Sequence, residues 1–199
     1  MSLNIIKHRV NTIEMLLSTP KYYGVEIDIR SYGKELILHH DPFEKGENFS
    51  KWLSNYDHGT LILNVKEEGL EESIMDLLFK HKINNYFFLD QSFPFLIRQH
   101  KKVNNNSALR FSEYESMESI LKSYKFAKWV WVDCFSELPL TMDIIIKMKS
   151  LGLNICLVSP ELQGHVDPKF IKEFKNKVKN YKNLINAICT KYPDVWKDY

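Results

Sequence analysis

The stretch "GVEIDIRSYGKELILHHDPF", residues 24–43, carries a clear alternation. Val25, Ile27 and Ile29 are interleaved with Glu26 and Asp28. Side chains two apart on a strand share a face, so the pattern predicts a strand with one apolar face and one face bearing two carboxylates. Ser31-Tyr32-Gly33 reads as a turn. ELILHHD (35–41) then reads as an additional extended run, ending in His39, His40 and Asp41.

Working outward, seven more short apolar or aromatic runs appear. They are NIIKHRV (4–10), TLILNVK (60–66), NYFFLD (85–90), SALRFS (107–112), KWVWVDCF (128–135), NICLVSP (154–160) and NAICTKYP (186–193). Helix-like segments lie between most of them. In EESIMDLLFKH the apolar residues Ile74, Leu77 and Leu78 follow helical spacing, with acids first and Lys/His last, as the helix dipole favours. Strands alternating with helices imply a parallel sheet with crossover helices. Eight strands predict an α/β fold, a (β/α)8 TIM barrel. At 199 residues, against about 250 for a typical barrel, it should be compact, with shortened loops and missing helices. The competing architecture is an open doubly wound sheet. No linker, repeat or low-complexity segment interrupts the chain, which reads as a single domain over residues 1–199.

Composition narrows the function classes. Hydrophobic residues make up 44% and charged residues 26%, as in ordinary soluble domains. A net charge of +2 is too balanced to suggest nucleic-acid binding. The lysines of KFIKEFKNKVKNYK (169–182) read as the solvated face of a helix. Cys134, Cys156 and Cys189 each sit in an apolar run and read as buried free thiols of a reducing compartment. MSLNIIKHR has no apolar signal core, and no run of about 18 apolar residues could span a membrane. The expectation is a cytoplasmic protein without integral membrane association.

Two carboxylates on the inward face of a barrel strand repel each other in low dielectric and need a cation. Their oxygens suit a hard divalent ion, Mg²⁺ or Ca²⁺. The competing reading is an exposed edge strand with solvated charges. The first strand ends Lys7-His8-Arg9. A histidine there serves as an acid or base, and an arginine holds a phosphate oxygen. Asn64 and Lys66 share a face at the end of the third strand, adding a second cation.

These residues, in this order, resemble the glycerophosphodiester phosphodiesterase family of the barrel superfamily that includes phosphatidylinositol-specific phospholipase C. The family's His-Arg and Asn-Thr pairs match His8-Arg9 and Asn11-Thr12. Its Glu-x-Asp matches Glu26 and Asp28, and its His-Asp matches His40-Asp41. Its Glu-x-Lys is here Asn64-Val65-Lys66, and its closing Thr-Asp-x-Pro is Thr190-Lys191-Tyr192-Pro193. The match spans residues 8–193, with most of its specificity in the first forty residues. The resemblance implies a metal-dependent phosphodiester hydrolase. It places a divalent metal on Glu26, Asp28 and Asn64, and substrate phosphate on Arg9 and Lys66. His8 and His40 divide the acid and base roles, in an order the sequence leaves open. His40 is preferred to His39 by strand alternation and by its pairing with Asp41.

Three departures stand out. The loop between His-Arg and Asn-Thr is cut to one residue, which predicts an open site and admits a small-molecule or a polymeric phosphodiester. Asn64 replaces a metal glutamate and contributes no charge, so Asp133 or Glu67 is the expected compensating acid. Lys191 replaces an acid in the last motif. Arg110 is a further candidate pocket residue, with a surface pair to Glu113 as the competing reading. No G-x-S-x-G, phosphate loop or Cys/His zinc spacing occurs. The alternative to hydrolysis is a catalytically degenerate barrel that binds a phosphorylated sugar or lipid headgroup. An enzyme acting at a membrane is disfavoured by the lack of an apolar or strongly basic stripe. Oligomeric state is unknown from sequence.

Overall fold

A computed structural model describes residues 3–198. The elements run β1 (Asn4–Lys7), α1 (Ile13–Ser18), β2 (Gly24–Tyr32), β3 (Glu35–Leu38), β4 (Glu47–Asn48), α2 (Phe49–Leu53) and β5 (Leu61–Val65). They continue with α3 (Glu71–Lys80), β6 (Tyr86–Leu89), α4 (Phe93–Gln99), β7 (Ala108–Phe111) and α5 (Met117–Ser123). The rest are β8 (Trp129–Val132), α6 (Met142–Ser150), β9 (Asn154–Val158), α7 (Pro168–Lys179) and β10 (Ala187–Thr190).

Each of the eight strand-like runs outside ELILHHD supplies one parallel strand. Ladders join β6 to β5, β5 to β2, β2 to β1, β1 to β10, and then β9, β8 and β7 in turn. The sheet curls until β6 faces β7, where a single parallel bridge, Phe88 to Ser107, replaces a ladder. The architecture is an α/β, TIM-barrel-like sheet with a weak seam at β6–β7. ELILHHD does not join the ring. β3 pairs antiparallel with β2, from Ile29–Leu38 to Tyr32–Glu35, and β4 pairs with β3. The turn between β2 and β3 rests on Gly33 at φ 64°, a conformation glycine adopts without strain.

Helix starts follow local chemistry. Thr12, Ser92 and Thr141 cap α1, α4 and α6 by accepting the backbone N–H three residues on. Asp167 caps α7, with Pro168 at its first position, where no N–H is needed. α2 has no sequence signal strong enough to announce it; it is five residues long and capped by Asn48. No α-helix follows β10 among the described residues. A short 3-10 turn, Pro193–Trp196, lies there instead. Trp196 is buried against Phe174 of α7 and donates to Ser159. One indole thus covers the sheet where an eighth helix would lie.

Strand alternation sorts the core. Ile6, Ile62, Phe87, Trp131, Cys156 and Cys189 point into the ring, while Val25, Ile27, Ile29, Leu61 and Leu63 face the helices. All three cysteines are buried and free. Glu26 and Asp28 follow the inward set, toward the C-terminal ends of the strands. At its opposite end β2 lies close on its neighbours, since a Cβ on Gly24 would stand 2.6 Å from the Thr60 carbonyl oxygen.

Candidate active site

Glu26 is fully buried and Asp28 is 1% exposed. The exposed-edge reading of this strand is therefore excluded. Parallel register sets Asp28 beside Asn64, and the Asn64 amide donates to Glu26 Oε1 at 3.0 Å. Glu26 Oε2 accepts the Arg9 backbone N–H at 2.7 Å. Burial, then the Asp28 charge, pushes the Glu26 carboxyl up to about 8.

Two cations neutralise Asp28. Arg9 Nε is 3.3 Å from Oδ2, and Lys66 Nζ is 3.3 Å from Oδ1. Arg9 reaches this position at φ 57°, a left-handed conformation that costs a non-glycine residue about 1–2 kcal/mol. The strain is offset by the two bonds it makes, from its N–H to Glu26 and from its guanidinium to Asp28. Asn11 holds the other side of Asp28, donating to Oδ2 and accepting the Asp28 N–H, both at 2.9 Å.

His8 Nε2 lies 3.6 Å from Glu26 Oε2. Burial, with Arg9 beside it, lowers the His8 pKa to about 3. The ring is neutral at pH 7 and the contact is not an ion pair. Its Nδ1 is buried without a hydrogen-bond partner. His40 stands at the end of the β2–β3 hairpin. Its Nδ1 meets Asp41 Oδ1 at 2.7 Å, and its backbone oxygen accepts from Arg30 Nε at 3.0 Å. His39 is turned into its own loop, with Nδ1 accepting the Asp41 N–H at 3.1 Å.

Asp28 Oδ1 and Asn64 Oδ1 are buried and accept no hydrogen bond, although Lys66 is within ion-pair reach of the former. Beside Glu26 they form a set of hard oxygen donors that fits a divalent cation. Among the described residues no group of three or more His, Cys, Asp or Glu side chains is arranged to hold a metal. The third donor here is an amide.

Neither expected compensating acid stands in that set. Asp133 is engaged by Arg110, by Gln163 at 2.7 Å and by Trp131 at 3.2 Å. Glu67 accepts from Ser31 and faces Arg30. Arg110 pairs with Asp90 and Asp133 rather than with Glu113, whose carboxylate instead binds the backbone of residues 135–137. Asp90, at φ 60°, also reaches Lys66 at 3.7 Å. A charge chain thus runs Arg9, Asp28, Lys66, Asp90, Arg110, Asp133. Arg30 and Asp90 were missed in the sequence. Arg30 had a signal, since it continues the inward series Glu26, Asp28 at the same spacing.

The architecture is similar to that of solved structures. Glycerophosphodiester phosphodiesterase from Thermotoga maritima matches at a TM-score of 0.72 and 14% identity, over 100% of this chain and 98% of that one. The enzyme of the same name from Agrobacterium tumefaciens matches at 0.65 and 12%, over 98% and 97%. The chain has the fold of these phosphodiesterases. A glycerol uptake operon antiterminator-related protein from Thermotoga maritima also matches, at 0.54 and 17%, over 99% of each chain. The fold therefore does not by itself choose an activity. No protein-family model and no curated protein sequence matches the chain.

Proposed function

We propose that the protein is a phosphodiester hydrolase resembling the glycerophosphodiester phosphodiesterases, a single (β/α)8-type domain with its site at the C-terminal ends of the strands. One observation carries this reading. His8, Arg9, Glu26, Asp28, Asn64 and Lys66 come from three strands and the residues that follow them, and converge in one cluster around the buried carboxylates. Binding alone has no need of two strained or buried groups beside a neutral histidine.

Glu26, Asp28 and Asn64 would hold Mg²⁺ or Ca²⁺, which when bound would polarise the phosphoryl group. Arg9 and Lys66 would take the phosphate oxygens and offset charge developing in the transition state. His8, held neutral, accepts the proton of the attacking hydroxyl, and the anionic substrate raises its low basicity. His40, backed by Asp41, donates the proton to the departing alkoxide. The substrate class is a small-molecule or polymeric phosphodiester. Buried free thiols support a cytoplasmic setting. No described helix is long and apolar enough to cross a membrane.

Asn64 favours a second reading, a barrel that binds a phosphorylated ligand without turning it over. Hydrolysis of bis(p-nitrophenyl) phosphate and glycerophosphocholine with Mg²⁺, Ca²⁺, Mn²⁺ or EDTA separates the two. Metal-dependent turnover should be lost in His8→Ala and Glu26→Ala. No turnover from folded protein with any metal would overturn the hydrolase reading.

A further inference from the structure

The end of β10 rests on a buried carboxylate. Glu161 follows β9 and is 2% exposed. It accepts from the Ser159 hydroxyl, from the Thr190 hydroxyl at 2.5 Å and from the Lys191 backbone N–H at 2.9 Å. The Thr190 oxygen accepts the Tyr192 N–H at 2.9 Å, and the Trp196 indole donates to Ser159 at 3.2 Å. Ser159 and Thr190 continue the helix-facing series of Leu157 and Ile188, so this network lies outside the ring. A buried acid is costly unless its oxygens are satisfied. Here three donors satisfy it, and it fixes the backbone of Lys191, whose side chain is exposed.

Register sets the direction of that side chain. Ile6 and Cys189 stand opposite each other and both point into the ring. Two residues on, His8 and Lys191 continue the two inward series. The His8 N–H donates to the Thr190 carbonyl at 2.9 Å, which keeps β1 and β10 together at this level. The Lys191 charge is felt at His8, where after burial and Arg9 it helps to lower the ring's pKa. The other cations of this rim are already matched. Arg9 and Lys66 face Asp28, and Arg30 faces Glu67. Among the described residues no carboxylate lies within ion-pair distance of Lys191.

We infer that Lys191 is a specificity-determining cation, positioned by Glu161, and that the substrate carries a second anionic group, a phosphate or a carboxylate, on the arm that runs past His8. The inference rests on the phosphodiesterase reading for the first phosphate, which Arg9 and Lys66 take on the other side of His8. An acid at position 191, as in the motif this chain resembles, would repel such a group. Lysine reverses the sign of the rim there.

Calorimetry on metal-free protein at constant ionic strength tests this with three probes. Glycerol 3-phosphate carries one anionic group, 3-phosphoglycerate adds a carboxylate, and 1,3-propanediol bisphosphate adds a phosphate. A charge-assisted contact to Lys191 should make at least one of the two-anion probes bind about tenfold more tightly than glycerol 3-phosphate. Which of the two gains identifies the second group. Lys191→Ala should remove the preference, Lys191→Arg should keep it and Lys191→Asp should reverse it. Glu161→Ala should shrink the preference while glycerol 3-phosphate still binds, whereas Glu161→Gln, which keeps an acceptor for the Lys191 N–H, should restore it. Equal binding of all three probes, or a preference that survives Lys191→Ala, would overturn the inference and leave hydrolysis intact. Equal loss of every probe in Glu161→Ala would overturn the positioning role. A preference that depends on Lys191 in a protein that turns over no phosphodiester would sustain the inference and overturn the hydrolase reading alone. No binding of any probe would overturn both.

Discussion

Glu26→Gln offers a test of the site that needs no substrate. Glu26 is fully buried, and its carboxyl is raised from 4.5 to about 8, first by burial and then by Asp28. A carboxyl raised in the folded state binds its proton more tightly there than in the unfolded chain. Its stabilising contribution is complete below the unfolded value and is lost as pH rises through about 8. Each pH unit in that window costs about 1.4 kcal/mol, so the whole effect approaches about 4–5 kcal/mol. Arg9 and Lys66 bear on the same site, so that figure is an upper bound.

Glutamine cannot ionise, and it fits with modest rearrangement. Its oxygen accepts the Arg9 N–H, while its amide faces Asn64, whose Oδ1 lacks a partner. Urea unfolding in EDTA between pH 5 and pH 8.5 should show the parent chain losing several kcal/mol relative to Glu26→Gln. A divalent cation should flatten the parent's slope and leave the variant's unchanged. Parallel pH profiles for the two proteins in EDTA would refute the placement of a destabilised, ionisable carboxyl at this site.

Arg9→Gly should relieve the left-handed strain at φ 57° and leave the melting temperature within a few degrees of the parent, yet abolish phosphodiester turnover, as paired thermal melts and assays would show. Asn64→Glu adds a third carboxylate to the donor set and should tighten Mg²⁺ or Ca²⁺ binding at least tenfold by calorimetry, about 1.4 kcal/mol; unchanged affinity would remove Asn64 from the ligand set. Gly24→Ala sets a Cβ 2.6 Å from the Thr60 oxygen and should destabilise the chain by about 1–3 kcal/mol in urea unfolding. His40→Ala should lower kcat about 10²–10⁴-fold, while His39→Ala, whose ring bonds only within its loop, should leave kcat close to the parent's.

Local periodicity is a property of neighbouring residues, and that is why the strands were legible. Val25, Ile27 and Ile29 against Glu26 and Asp28 specify both a strand and its two faces without reference to any other segment. The same rule placed Asn64 with Lys66, and the structure joins both to the carboxylates.

The sequence by itself determined eight alternating strand runs, the inward face that carries Glu26 and Asp28, and the cations that close the first and third strands. Tertiary structure alone decided that Asp133 is held by Arg110, Trp131 and Gln163 away from the carboxylates, and that Asp90 links Lys66 to Arg110. It alone opened the β6–β7 seam. The division has a physical cause. A strand's face is set by the alternation of its own side chains, whereas an ion pair or a missing ladder depends on which distant strands the chain brings side by side.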